Sequence, residues 1–479
     1  MYKVLLCWRY LRTRYLALAC IISVMLGVAT LIVVNSVMTG FSTKLRERLH
    51  DLCSDVLIEA ASLEGFGDPN GKMEQIRKDP ELAGKIAAMT PTLETFAMIQ
   101  FYWPNGEMIT KPIRLIGVEP EGRAAIGGFS NFLKFQKNQT KPSFEVSEDA
   151  KQRYEWRLRA LMQPAIPQAK IFPDNFDTAE SVPQPVAPTP STVKIPRGAI
   201  VGNLIASFRL EDEKQKGKYD DYYVLHPGDP IYITTVSGAK LAPVNDSFLV
   251  VDYFTSEMSE YDSNCVFVPL DYLQHLRTME GRVTSIQISV KDHHDARLVC
   301  DRLKQMFSEK SLALNIVTWE DKQGAILQAI EIEKGILNVL LFLIIGVAGF
   351  GILAIFSMIV AEKTRDIGVL KALGASNGGV MKIFVSYGFL LGLIGTLIGT
   401  SLGVWLTENI NEVEQWLSMS TGQQIFNRKV YYFDKIPTDI QAGMVLLVNI
   451  GAVTIAVVFS VLPAMRAAFL HPVRALRYE

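Results

Sequence analysis

Four stretches of this chain carry no Asp, Glu, Lys or Arg: Tyr15 to Thr43, Gly335 to Ala361, Ile383 to Thr407 and Ile440 to Met465. Nothing else in the sequence restricts the fold as strongly. About 20 apolar residues cross a hydrocarbon core of about 30 Å as a helix, and the shortest of the four runs has 25. The Gly335–Ala361 run would be about 40 Å long at about 1.5 Å per residue, so it must tilt or protrude. Buried soluble helices are seldom so long or so uniformly apolar, and all four runs read as transmembrane spans. A cleaved signal peptide fits the first run poorly, because its charge-free stretch is about twice a signal core of about 7–15 residues. LALAC (Leu16 to Cys20) hints at a lipoprotein cleavage site, but almost no apolar core precedes it. An uncleaved anchor is expected.

Charges beside the spans give the orientation. Lys3, Arg9, Arg12 and Arg14 precede the first span without an acid. Residues 362–382 hold Lys363, Arg365, Lys371 and Lys382, and the tail 466–479 holds Arg466, Arg474 and Arg477 against Glu479. Segments 1–14, 362–382 and 466–479 therefore belong in the cytoplasm. Segment 408–439 has five acids and three bases, and is placed outside together with the large segment 44–334. The expected fold is thus an α-helical domain of four spans (15–43, 335–361, 383–407, 440–465) with a large α+β extracytoplasmic domain inserted between the first two. A net charge of −1 gives no sign of a nucleic-acid surface.

The inserted domain changes period along its length. Phe41, Leu45, Leu49 and Leu52 form one helical stripe, and Ala325, Ile326, Ala329 and Ile330 form another before the second span. These two helices read as stalks. Between them, residues 98–118 read as a hairpin around Asn105-Gly106, residues 229–256 as a strand pair, and residues 283–290 as a strand. A helix follows with Ala296, Val299, Cys300, Leu303 and Phe307 on one face. Such a domain is large enough for two subdomains. The stretch 163–197, with eight prolines from Pro164 to Pro196, favours polyproline II and reads as an exposed insertion.

EKTRDIGVLKALGAS, residues 362–376, interrupts two apolar runs with a compact charged helix. Ile367, Leu370 and Leu373 recur at i, i+3 and i+6, flanked by Val369, while Glu362, Lys363, Arg365, Asp366 and Lys371 take the other positions. Gly374 supplies a stop and Ser376 a cap for the next helix. A loop that only kept basic residues inside would need no apolar face. An apolar stripe with a charged rim suits docking into another protein's cleft.

That segment resembles the coupling helix of ABC-transporter permeases of the mechanotransmission (MacB/FtsX-like) superfamily. VATLIVVNSVMTGFSTKLRERL (28–49), SEYDSNCVFVPLDYLQHL (259–276), NEVEQWLSMSTGQQIFNRKVYYFDKIP (411–437) and the ending PVRALRYE resemble the lipoprotein-releasing permeases of the LolC/LolE type. The resemblance implies a four-span permease that pairs with a second, identical or related permease and with a cytoplasmic ABC ATPase holding ATP and Mg. It implies lipoprotein cargo taken from membrane lipids and a periplasmic carrier. On it, Glu362, Lys363, Arg365, Asp366, Ile367, Leu370, Leu373 and Gly374 contact the ATPase, and Val28, Leu31, Val34 and Met38 face lipid or cargo. The proline-rich insertion departs from the family's pattern.

Several readings stay beside this one. An exporter of peptides or amphipathic drugs shares the architecture, as does an ATP-driven switch acting on a cell-wall hydrolase. A receptor would need a cytoplasmic output domain that no internal segment supplies. No GxxxxGK[ST] occurs, so ATP is not cradled here by that route, and neither enzyme activity nor a cofactor is expected in this chain. No charge interrupts a span, against a proton or ion relay. Gly388, Gly392, Gly395, Gly399 and Gly403 form one stripe for close helix packing, within the chain rather than across a dimer. Gly374-Ala375-Ser376-Asn377-Gly378 matches GxSxG but lacks the strand a nucleophile elbow needs. Cys7, Cys20, Cys53, Cys265 and Cys300 show no CxxC spacing and read as small apolar residues. His293 and His294 read as a solvated loop with no metal, and Asp252, Glu257, Glu260 and Asp262 as a solvated strand end.

Overall fold

The computed structural model describes residues 15–62, 64–103, 106–162, 195–211, 219–238, 242–307, 314–421 and 435–471. Expectations for residues 1–14 (Cys7 among them), Asn105, most of the proline-rich stretch, residues 422–434 and the ending from Pro472 fall outside them. The chain divides into two compact units: residues 1–47 with 324–428 and 433–479, and residues 48–323 with 429–432.

The first unit is helical. Its long helices are α1 (Tyr15–Leu52, whose last turns belong to the second unit), α2 (Gly324–Glu362), α4 (Asn377–Glu408) and α6 (Ala442–Ala468), with short helices α3 (Thr364–Ala372) and α5 (Ile410–Thr421) between them. The four long helices are apolar and long enough to cross a membrane, where a helix is one of the few ways to satisfy every backbone group. Val24, Val28, Leu31 and Ile32 of α1 pack with Leu341, Ile345, Ile352 and Phe356 of α2, Tyr387 and Leu391 of α4, and Val448, Ala452 and Ala456 of α6. The glycine stripe of α4 serves two neighbours. A Cβ at Gly388 or Gly392 would lie 2.5 Å from Ser460 Oγ or 2.8 Å from Ala456 Cβ on α6. One at Gly395, Gly399 or Gly403 would press on Val24, Met25 or Ala29 of α1. Thr400 Oγ1 also donates to Asn449 Oδ1 at 2.7 Å, a polar link between α4 and α6.

Two features of this unit differ from the sequence reading. The stalk stripe Ala325, Ile326 and Ala329 is exposed, and the buried positions at the start of α2 are Leu327 and Ile330. Alanine offers little area to bury, so the larger Leu327 sets the packed face. The 408–439 segment contains α5, and Asn411 beside its start accepts from Ile436 N at 2.8 Å. Asp439 N in turn donates to Ser36 O at 2.9 Å, and the backbone of Pro437 and Thr438 lies over Gly40.

The second unit is built on a nine-stranded mixed sheet. Its strands are β1 (Val56–Ala60), β2 (Ile86–Tyr102), β3 (Met108–Val118), β4 (Arg197–Gly202), β5 (Pro230–Val236), β6 (Pro243–Phe254), β7 (Cys265–Pro269), β8 (Ser285–Val290) and β9 (Leu314–Thr318), ordered β9-β1-β8-β2-β3-β7-β4-β6-β5. β5 also pairs with β2, so six strands close a ring. The first half of β2 pairs with β8, and its second half with β3 and β5. One 17-residue strand therefore serves both the ring and the antiparallel β9-β1-β8 flank. Alternating residues fill the ring: Ile99 and Phe101, Ile113 and Leu115, Ile231 and Ile233, Phe248 and Val250. On the flank, Val299, Cys300 and Leu303 of the 296–306 helix pack on Ile286, Ile288 and Ile316. The hairpin after β2 closes with Trp103 N donating to Glu107 O at 2.8 Å, and Gly106 takes φ 85°, a left-handed conformation open to glycine.

Candidate functional site

The segment between α2 and α4 is built from three local rules. α2 ends at Glu362, and Lys363 caps the nine residues of α3. Gly374, at φ 95°, donates its N–H to Lys371 O at 3.0 Å, while Ala375 N donates to Leu370 O at 3.0 Å. This pair of bonds is the Schellman closure, which needs a left-handed residue at its first position. Ser376 then caps α4, its Oγ accepting from Gly379 N at 3.2 Å. Only residues 373–376 separate the two helices, so the connection is short and bonded to both of them.

Side chains divide α3 into two faces. Ile367 is 3% exposed and packs with Val360 of α2, Val380 of α4 and Ala467 of α6. Lys371 Nζ donates to Ala468 O at 2.6 Å and to Leu470 O at 2.7 Å, where α6 ends; a cation at a helix C-terminus is favourably placed. On the other side Leu373 is 81% exposed, Val369 44% and Leu370 39%. Glu362, Arg365, Asp366 and Gly374 are exposed around them, and half-buried Lys363 pairs with Asp366. The expected contact stripe is therefore corrected at one position. Ile367 anchors α3 to its own chain because a β-branched apolar side chain is better placed in the four-helix crevice than in solvent. Val369 takes its place on the open face.

The expected lipid- or cargo-facing set is corrected at two positions, Val28 and Leu31. Val28 and Leu31 are buried in the helix bundle, against α4 and the core around it, and Val34 and Met38 are half-buried. The outward positions of α1 are Leu18, Ile22 and Leu26, each at least 45% exposed. On α2 the open face carries Ile336, Leu340, Leu343, Val347 and Phe350, at successive steps of 4, 3, 4 and 3 residues. A uniformly apolar helix hides which side packs. The small residues of α4 decide it, because they admit Val24, Val28 and Ala29.

The remaining sequence signals resolve by position. Gly374, Ser376 and Gly378 follow a helix, α3, so the GxSxG match has no strand to form an elbow. Cys20, Cys53, Cys265 and Cys300 are free thiols, all buried except half-buried Cys53, and burial pushes the Cys265 thiol up to about 12. The acidic cluster is not a solvated strand end. Asp252 is fully buried and accepts from the backbone N–H of Phe135, Gln136 and Tyr253 at 2.7–2.9 Å. Asp262, 1% exposed, accepts from Ser256 N, Ser256 Oγ and Glu257 N. Both carboxylates organise loops by satisfying buried donors. Glu257 pairs with Arg48, and Glu260 is exposed.

His293 is also more than a solvated loop. Its Nδ1 lies 2.9 Å from Asp55 Oδ1, and His50 Nε2 lies 2.8 Å from the same oxygen. Burial opposes the charge on Asp55, but its hydrogen bonds to His50, Val290 N and His293 outweigh that and bring its pKa down to about 2. His294 projects away, 96% exposed, beside Asp292. Sequence separation hid this cluster: Asp55 and His293 are 238 residues apart and meet only through the β1–β8 pairing.

The FtsX-like permease C-terminal model matches residues 338–472, which run from α2 through the end of α6. Over 98% of its length the chain is 25% identical to the lipoprotein-releasing system transmembrane protein LolC of Xylella fastidiosa, 97% of which is covered. It is 24% identical to the corresponding LolE of Haemophilus influenzae, again with 98% and 97% coverage. Among solved structures, the periplasmic region of MacB from Actinobacillus actinomycetemcomitans aligns at 12% identity with a TM-score of 0.25, covering 57% of this chain and 91% of that one.

Proposed function

We propose that this chain, a multi-pass membrane permease of the LolC/LolE type, couples ATP hydrolysis in a partner ATPase to the extraction of lipoproteins from the inner membrane towards the outer membrane. α3 lies in the cytoplasm, with both termini, and the ATPase cleft takes Leu370, Leu373 and Val369, while Glu362, Arg365 and Asp366 set the register of docking. ATP and Mg belong to that partner. The residue 48–323 unit lies on the periplasmic side, where cargo and a carrier would meet it. A second permease completes the membrane assembly, with the open apolar faces of α1 and α2 left to it, to lipid and to acyl chains.

The observation that carries this reading is the two-faced α3. Its inner face is latched to α2, α4 and α6 by Ile367 and Lys371, and its outer face leaves leucines in the open. A partner that grips the outer face moves three long helices at once. The names of the relatives support the cargo. The test is co-purification from detergent-solubilised membranes of the wild-type chain and Leu370→Asp. The variant is expected to lose the ATPase while keeping the wild-type melting temperature. An intact complex with Leu370→Asp overturns the docking proposal, as does labelling of a cysteine at Ser376 from the periplasmic side.

A further inference from the structure

We infer that His50, Asp55 and His293 form a binding site for a borderline divalent transition metal, of which zinc is the representative. The three side chains come from three segments of the 48–323 unit: the last turn of α1, the approach to β1, and the turn after β8. Their donor atoms lie within 4.8 Å of one another. The two imidazoles meet edge to face with centroids 4.3 Å apart, so their nitrogens converge on one carboxylate oxygen rather than stacking away from it.

The carboxylate is held as a ligating carboxylate is usually held. Asp55 is 3% exposed, and its Oδ2 is already occupied, accepting from Val290 N at 2.8 Å and Ser289 Oγ at 3.2 Å. That leaves Oδ1 directed at the two imidazoles, an outer shell that fixes an inner ligand. The Trp319 ring meets His50 edge to face, and the Trp319 backbone N–H donates to Asp55 O at 3.1 Å, which fixes the floor of the site. His293 is 63% exposed, so an ion has an entry path and a fourth position open to water. Tetrahedral bonds of about 2.0–2.1 Å place ligand atoms about 3.3 Å apart. The present separations of 2.8 Å from His50 and 2.9 Å from His293 open to that value by small turns of the two imidazole rings. Two imidazoles and one carboxylate select zinc, cobalt, nickel or copper over calcium or magnesium, which prefer all-oxygen shells.

Bound metal would join the end of α1 to the β1–β8 part of the sheet through coordinate bonds. Without metal the same groups keep a His–Asp–His hydrogen-bonded cluster, which is the competing account. The experiment uses the full-length chain in detergent, without a polyhistidine tag, stripped with chelator and dialysed. Cobalt is added while its visible absorption is followed, then zinc is added in competition. We expect saturable one-to-one binding with a tetrahedral cobalt spectrum displaced by zinc, and a zinc-dependent rise in melting temperature. His293→Ala should lose both while the metal-free protein still melts in a single cooperative transition, lowered by no more than the loss of one hydrogen bond to Asp55. His294→Ala, on the same turn, should retain both. Absence of saturable binding, or equal binding by His293→Ala, overturns the site.

Discussion

Truncating Leu373 separates docking from folding. A fully buried leucine is worth about 1.5–3 kcal/mol, and Leu373 is 81% exposed in the chain alone. A cleft that closes over it gains most of that value, and Leu373→Ala forfeits roughly 1–2 kcal/mol of it, about a five- to thirtyfold rise in dissociation constant. The free permease should scarcely notice, since exposed substitutions usually stay within about 0.5 kcal/mol. Ile367→Ala gives the opposite pattern. Its side chain is 3% exposed among Val360, Val380 and Ala467, and such a truncation costs about 2–5 kcal/mol of stability. The assay pairs the affinity of the solubilised permease for its purified partner ATPase with the melting of the permease alone. If Leu373→Ala leaves the affinity within twofold of wild type, or Ile367→Ala weakens binding without lowering the melting temperature, the assignment of the two faces is wrong.

Gly399→Ala should destabilise the helix bundle by about 1–3 kcal/mol, because the added Cβ meets Met25 O at 2.7 Å; Gly346→Ala, with nothing within 4 Å, should be neutral or stabilising in the same melting assay. Lys371→Met should lose charge-assisted bonds to Ala468 and Leu470, lowering stability by about 1.5–3 kcal/mol for each bond and speeding hydrogen exchange at the end of α6. Burial opposes ionisation of Asp79, but the Glu81 amide and Arg302 outweigh it and hold the carboxyl below its ordinary value. Its stabilising contribution is therefore present above the unfolded value near 4 and fades as pH falls below it. Arg302→Gln should flatten that part of the stability profile, which begins near the unfolded value of about 4 and lies on its acid side.

What the sequence disclosed follows from the range of each cause. Four long apolar helices, the α3 stop at Gly374 and the cap at Ser376 depend on residues within a few positions, and they are legible. So is the β5–β6 strand pair, where alternation and turn residues are adjacent. The packed sides of α1 and α2 were not, because every side of those helices is apolar; glycines on α4 choose the side of α1, and Gly349 of α2 lies against Phe459 and Ile455 of α6. Ile367 was read with Leu370 and Leu373 because all three share a stripe. Only α6, about 100 positions later, shows that a crevice takes the first and leaves the others. His50 and Asp55 lie five residues apart, but no spacing signal joins them to His293, which only the β1–β8 register brings beside them.

Force applied to α3 has two ways to go: into bending the joints at either end, or into the helices it touches. The joints are poor hinges. Lys363 alone separates α2 from α3, Lys363 N still donates to Ile359 O, and Ile367 N donates back to Lys363 O. At the other end, two Schellman bonds and a serine cap tie residues 374–376 to α3 and α4. Peeling α3 away would instead expose Ile367, at about 2–5 kcal/mol by analogy with core truncation, and break two charge-assisted bonds of about 1.5–3 kcal/mol each. A partner holding Leu370 and Leu373 has only about 2–4 kcal/mol of its own apolar grip on those two side chains. The inner latch is thus at least as strong as the outer grip. Pulling on α3 displaces α2, α4 and α6 before it detaches the helix, and weakening the latch through Lys371→Met should uncouple ATP turnover from cargo release while leaving the ATPase bound.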